Sequence, residues 1–142
     1  MIRKDILMAQ DPELISFGKV GDSKLGYISI AESLPFEIKR VYWTYYAPHD
    51  VIRGQHAHKN LYQLIIAISG IIEFKIENRN GEHFNFKLDQ PNLGLFIPPL
   101  CWREMKFSHN AVLLCLASLD YSEKDYIRGY EDFKNIKNGI NI

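Results

Sequence analysis

His56 and His58, two positions apart in R-G-Q-H-A-H-K (residues 53 to 59), are the residues of this chain whose type and spacing best suit proton transfer. In an extended strand, side chains at i and i+2 leave from one face, so both imidazoles can enter one cavity. Imidazole titrates near neutrality and can take up and return a proton. Arg53 and Lys59 flank the pair with positive charge, the layout expected where an anionic substrate is held while a proton moves. The plain alternative is a pair of satisfied histidines between two solvated charges. Cys101 and Cys115 are fourteen positions apart, outside any CxxC spacing and within apolar segments, and read as reduced, buried thiols.

Such side chains need a frame, and the sequence predicts one built of strands. Aromatic residues make up 13% of the chain, and short runs of Ile, Val, Tyr and Phe alternate with Gly, Asn, Asp and Pro. The runs 27 to 30, 38 to 46, 61 to 68, 71 to 77, 83 to 88, 94 to 97 and 111 to 118 are the expected strands, spaced as in a jelly roll. Asn78, Arg79, Asn80 and Gly81 carry the chemistry of a hairpin turn, and Ser69 with Gly70 marks another tight connection. Ser122 followed by Asp125 resembles a capping box and predicts a C-terminal helix with Tyr126, Ile127, Tyr130 and Phe133 along one face. The fold class expected is therefore all-β, with a short C-terminal helix.

At 142 residues and 46% hydrophobic content the chain suits a single domain over residues 1–142, without repeats or linkers. Seventeen Lys plus Arg balance seventeen Asp plus Glu, which leaves no global field for nucleic acid or an anionic membrane. The first twenty residues are broken by Asp5, Asp11, Pro12 and Glu13 before any apolar run reaches signal-peptide length, and no run elsewhere could cross a bilayer. A cytoplasmic location is expected.

The order H-x-H, four residues, Gln63, six residues, Gly70 resembles the first motif of the cupin superfamily, where a glutamate usually stands at the Gln63 position. Pro98-Pro99-Leu100-Cys101-Trp102-Arg103 falls where the second cupin motif carries its third histidine, here Arg103. The resemblance implies a cupin-type jelly-roll barrel. A guanidinium has no lone pair for a cation and would repel one, so neither a catalytic metal nor another cofactor is expected. The pocket that remains suits proton transfer, with Arg103 able to stabilise an enediolate oxyanion. A structural salt bridge from Arg103 to Glu104 or Glu73 is the alternative role.

A closer resemblance spans roughly residues 20 to 135. P-F-E-I-K-R-V-Y (35 to 42), R-G-Q-H-A-H-K, G-L-F-I-P-P-L-C-W-R-E-M (94 to 105) and L-A-S-L-D-Y-S-E-K-D-Y-I-R-G-Y-E-D-F (116 to 133) are similar to the dTDP-sugar 3,4-ketoisomerases. That resemblance implies a substrate, dTDP-4-keto-6-deoxy-D-glucose, whose ketone moves from carbon 4 to carbon 3. The product would feed an aminotransferase making 3-amino sugars for surface glycans such as lipopolysaccharide. It implies His56 and His58 as the proton shuttle, joined by Tyr42 and Arg103 as catalytic candidates. Arg40, Arg53, Lys59, Gln63 and Trp102 become candidates for holding the sugar, diphosphate or base; a bidentate arginine suits phosphate independently of any family. A homodimer is implied as well. Relatives with arginine at the Arg103 position form the gluco-configured product and those with histidine the galacto-configured one. Leu25 departs from both groups, which carry tyrosine and arginine there respectively. A sugar-nucleotide epimerase, a noncatalytic sugar-nucleotide-binding cupin and a metal-dependent cupin oxygenase are the competing functions.

Overall fold

A computed structural model of the chain describes residues 11–137. The first ten residues, part of the segment read above against a leader, and the last five of the expected domain lie outside the described residues. Twelve strands and one helix follow in order: β1 (Glu13–Ser16), β2 (Val20–Asp22), β3 (Gly26–Ile28), β4 (Arg40–Thr44), β5 (Ile52–His58), β6 (Gln63–Ser69), β7 (Ile72–Glu77), β8 (His83–Leu88), β9 (Leu93–Ile97), β10 (Trp102–Phe107), β11 (Val112–Ala117), β12 (Tyr126–Ile127) and α1 (Tyr130–Lys137). Two five-stranded antiparallel sheets, β1-β9-β6-β11-β4 and β12-β5-β10-β7-β8, face one another, while β2 and β3 form a separate hairpin. The non-consecutive neighbours are those of a jelly roll, the all-β cupin-type fold expected from the sequence.

Inward-facing residues of both sheets, among them Ile65, Ile72, Phe74, Leu95 and Ile97, make the main core. β6 is apolar on both faces for a physical reason. Its Ile65 and Ala67 enter that core, while Leu64 and Ile66 join Phe17, Phe96 and Leu116 in a second cluster on the outer side, covered by Leu34 and Phe36. The hairpin between β7 and β8 turns at Asn78, whose fully buried side-chain oxygen accepts from the amides of Asn80 and Glu82. Gly70 closes the preceding turn, between β6 and β7, at φ +72°, with Ala111 packed where a Cβ would stand.

Of the strands, β1, β2, β5, β10 and β12 were absent from the sequence expectation. In β5 and β10 the run is too polar and too broken by glycine or charge to read as a strand in isolation. The expected helix start is corrected. Residues Glu123–Asp125 form a single 3-10 turn, Ser122 makes no side-chain cap, and the helix begins only at Tyr130. Asp125 is drawn away from capping because its carboxylate accepts from His58 at the end of β5 and from Asn60 just beyond it. Tertiary pairing thus outweighs a local capping signal. Ile127 and Phe133 pack with Ala57 and Trp102 in a third small core beneath α1, which pins β12 against β5. Among the described residues no helix is long and apolar enough to cross a membrane.

Candidate active site

The site is organised by a bulge in β5. Met105 pairs with Arg53 and Glu104 with Gly54, but Arg103 pairs with His56, leaving Gln55 as the extra residue. Gly54 and Gln55 both take positive φ, +86° and +54°. The extra residue reverses the alternation, so Arg53 points to the same inward face as His56 although the two are three positions apart. His58 follows at i+2. The Gly54 position tolerates little else: a Cβ there would lie 3.0 Å from the Arg103 carbonyl oxygen and 3.2 Å from the Arg103 Cγ.

The two imidazoles stand edge to face, with ring centroids 4.9 Å apart. Each has its Nδ1 tied. His56 Nδ1 donates to the Gly54 carbonyl at 3.0 Å, and His58 Nδ1 donates to the Asp125 carboxylate at 3.1 Å. Carbonyl and carboxylate oxygens only accept, so both rings carry Nδ1–H and keep an unprotonated Nε2. Burial, then the Arg103 charge, lowers His56 to about 4. Burial, then Arg103 and His56, lowers His58 to about 2. Both rings are therefore neutral bases at physiological pH.

Arg103 comes from β10 and is 1% exposed. Its guanidinium donates to Gln63 Oε1 and, at 3.2 Å, to the Cys101 carbonyl; its Nε has no partner. No ion pair involves it among the described residues. Glu104, the alternative partner, is the next residue along the strand and leaves from the opposite face. A buried guanidinium without a counter-charge is costly, and burial lowers its pKa. Gln63 is likewise fully engaged: beyond accepting from Arg103, its Nε2 donates to Tyr42 Oη at 2.9 Å and to Cys115 Sγ at 3.4 Å. Burial raises the Tyr42 phenol, which stays protonated. Its oxygen accepts from Gln63, and its hydroxyl is hydrogen-bonded with the Cys115 thiol.

Arg53, His56, Gln63, Arg103 and Tyr42 line one cavity of about 160 Å³ with Thr44 and Tyr126, while His58 is buried beside His56 and outside that lining. Tyr126 is a lining residue that sequence reasoning missed. Its ring lies 4.4 Å from His58 and 5.0 Å from His56, with the Arg128 guanidinium 4.2 Å from its centroid. Asp125 was missed as well, having been read as a helix cap; only the pairing of β12 with β5 reveals it.

Other expected residues lie apart from the cavity. Arg40 is outside the lining, its guanidinium over the rings of Tyr42 and Tyr121 at 5.2 and 5.6 Å, with an unsatisfied Nε. Lys59 is exposed just beyond β5, and its backbone amide donates to the Asp125 carbonyl. Trp102 precedes Arg103 and so faces the other way, packing 5.9 Å from Phe133 and 5.4 Å from Tyr130. It borders an outer hollow of about 720 Å³ that is lined by His83 but by neither His56 nor His58.

The ligand positions of a metal-binding cupin do not fit a cation here. Amide and guanidinium stand at two of them, and no cluster of three or more His, Cys, Asp or Glu suited to a metal occurs among the described residues.

The family model described as "FdtA: WxcM-like, C-terminal" matches residues 10–138. The TDP-4-oxo-6-deoxy-alpha-D-glucose-3,4-oxoisomerase of Aneurinibacillus thermoaerophilus is 38% identical over 133 residues, covering 92% of this chain and 95% of that protein. A 3,4-ketoisomerase from Helicobacter canadensis is 40% identical, with a TM-score of 0.85 over 92% of this chain and 99% of its own. QdtA, a sugar 3,4-ketoisomerase from Thermoanaerobacterium thermosaccharolyticum solved with TDP, is 38% identical at a TM-score of 0.84, covering 90% and 95% of the two chains. A variant of that enzyme is also solved with TDP-4-keto-6-deoxyglucose. Fold and sequence similarity agree over nearly the whole chain, which belongs to the FdtA-type cupin family of sugar 3,4-ketoisomerases.

Proposed function

We propose that this enzyme converts dTDP-4-keto-6-deoxy-D-glucose to a dTDP-3-keto-6-deoxyhexose, as one domain, without metal or other cofactor. The observation that carries the reading is a pair of imidazoles in edge-to-face contact, each tied at Nδ1 so that Nε2 is its accepting atom, beside a buried guanidinium without an ion-pair partner among the described residues. Its relative's complex with TDP-4-keto-6-deoxyglucose supports the substrate. The cavity of about 160 Å³ is well below the ~300 Å³ at which pockets begin to enclose a drug-sized ligand. It suits the sugar ring alone, and the diphosphate and base then lie outside. Arg53 at the rim, Arg40 with its unsatisfied Nε, and the exposed Lys59 are the cations for the diphosphate.

The chemistry balances without an outside oxidant. An Nε2 takes the proton from carbon 3, and that C–H electron pair becomes the double bond between carbons 3 and 4. The carbonyl electrons pass to oxygen 4, where Arg103 stabilises the enediolate and the Tyr42 hydroxyl can supply a proton. The hydroxyl on carbon 3 then gives its proton to Tyr42, restoring the phenol, its ketone forms, and the imidazolium returns a proton to carbon 4. Gln63 positions Arg103 and Tyr42 from its buried place between them, while Trp102 stabilises the α1 junction. We assign the gluco-configured product on Arg103, with the galacto-configured product as the alternative, and place the reaction in 3-amino sugar synthesis. A cytoplasmic homodimer is the expected assembly, supported by Trp43, Leu25 and Ile28, which are 61%, 92% and 64% exposed.

The deciding experiment is incubation with dTDP-4-keto-6-deoxyglucose in deuterated water, followed by NMR. The proposal expects the ketone at carbon 3 and deuterium at carbon 4. A ketone still at carbon 4 with deuterium at carbon 3 would indicate an epimerase, and tight dTDP binding without turnover a noncatalytic binder.

A further inference from the structure

Asp125 has no role in the reaction as set out above, yet its carboxylate is hydrogen-bonded directly to one ring of the histidine pair. Its Oδ1 accepts from the Asn60 amide at 2.8 Å and its Oδ2 from His58 Nδ1 at 3.1 Å. Its main-chain carbonyl accepts from the Lys59 amide at 2.8 Å, and its own amide donates to the Ser122 carbonyl. The side chains of His58 and Asp125 are 2% and 10% exposed. The 3-10 turn and β12 thus clamp the end of β5 at three successive residues, His58, Lys59 and Asn60.

We propose that Asp125 is a positioning residue that locks His58 as the Nδ1–H tautomer, leaving Nε2 as the ring's proton-accepting atom beside His56 and Tyr126. The proposal rests on the ketoisomerase reading, and it adds to that reading the group that makes His58 a base. Neutral imidazole is free to carry its proton on either nitrogen, and only the Nδ1–H form offers Nε2 as an acceptor. Asp125 touches no substrate and acts through the ring it orients. His56 is held in the same tautomer by different means, the Gly54 carbonyl of its own bulge. The two bases therefore have separate tethers, and one can be altered while the other stands.

Asp125→Asn discriminates sharply because of the second hydrogen bond. The Asn60 amide requires an acceptor, so the asparagine must turn its oxygen there and present its NH₂ to His58 Nδ1. That forces the proton to Nε2 and removes the base, as in a serine-protease triad whose aspartate is changed to asparagine. The expected results are a fall in kcat of roughly 10³–10⁴-fold with dTDP affinity unchanged, and a nitrogen-15 spectrum in which the His58 proton has moved from Nδ1 to Nε2. A proton still on Nδ1 in the variant overturns the proposal, whatever the activity. A migrated proton with undiminished turnover instead upholds the lock and removes His58 as the base, so the two failures are distinguishable. The unsubstituted protein supplies a check independent of any folding defect: an Nε2–H tautomer at His58 there overturns the proposal.

Discussion

His58 is almost completely enclosed, with Asp125 behind it and His56 at its edge, and its preferred state is set by burial more than by any single neighbour. With His56 at about 4 and His58 at about 2, neither ring gains a proton at the pH where free imidazole does. The acid limb of kcat/KM is accordingly expected near pH 4, with no inflection near 6.5. A steady-state pH profile checks this, and a half-maximal rate near 6.5 would mean that the rings are not held as the geometry implies. Replacing either histidine by asparagine should lower kcat by ~100-fold or more, the scale of a lost general base. Near-normal turnover in both variants would take the pair out of the mechanism. Arg103→His should change the proportion of gluco to galacto product, read by NMR; an identical product formed at an identical rate would leave Arg103 a structural residue.

β5 is the element on which the site depends, and its bulge is what makes it useful. Without the extra residue at Gln55, the inward alternation that holds His56 and His58 would send Arg53 to the outer face. Gly54 makes the bulge possible because it accepts a φ of +86° and lets the Arg103 main chain approach to 3.0 Å from the position of a Cβ. Gly54→Ala should destabilise the fold by about 1–3 kcal/mol, the cost of a strained left-handed residue. It should also lower turnover, since the Gly54 carbonyl tethers His56. Denaturant unfolding alongside steady-state kinetics tests both, and unchanged values would show that the bulge is not under this constraint. None of this was legible locally, because R-G-Q-H-A-H has neither the β-branched content nor the strict alternation of a strand.

At the scale of the molecule, the buried imidazoles link stability to pH. Their folded pKa values lie below the ordinary 6.5, so the unfolded chain takes up protons first. Stability is therefore undiminished above about pH 6.5 and falls as pH drops from there toward 4, where the native His56 begins to titrate. Melting temperature should decline over that interval more steeply than in a variant with both histidines changed to asparagine. Parallel slopes would mean that the two rings are not buried as neutral groups. The jelly roll imposes this penalty by its architecture: two sheets must bury their facing side chains, and β5 and β10 turn His58 and Arg103 into the space between them.

By itself the sequence determined what depends on residue type and on neighbours a few positions away. The i, i+2 spacing that lets His56 and His58 share a face if the segment is extended, the turn at Asn78 to Gly81, the apolar runs of β6 to β9 and β11, and the unsuitability of Gln63 and Arg103 as metal ligands all follow from period and chemistry. Only the tertiary structure decided which residues meet across strands. It placed Asp125 against His58 sixty-seven positions away, Gln63 between Arg103 and Tyr42, and Trp102 behind the sheet rather than in the cavity. The physical reason is that a strand's alternation is local, whereas its register, its bulges and its partners are fixed by hydrogen bonds to segments distant in the chain.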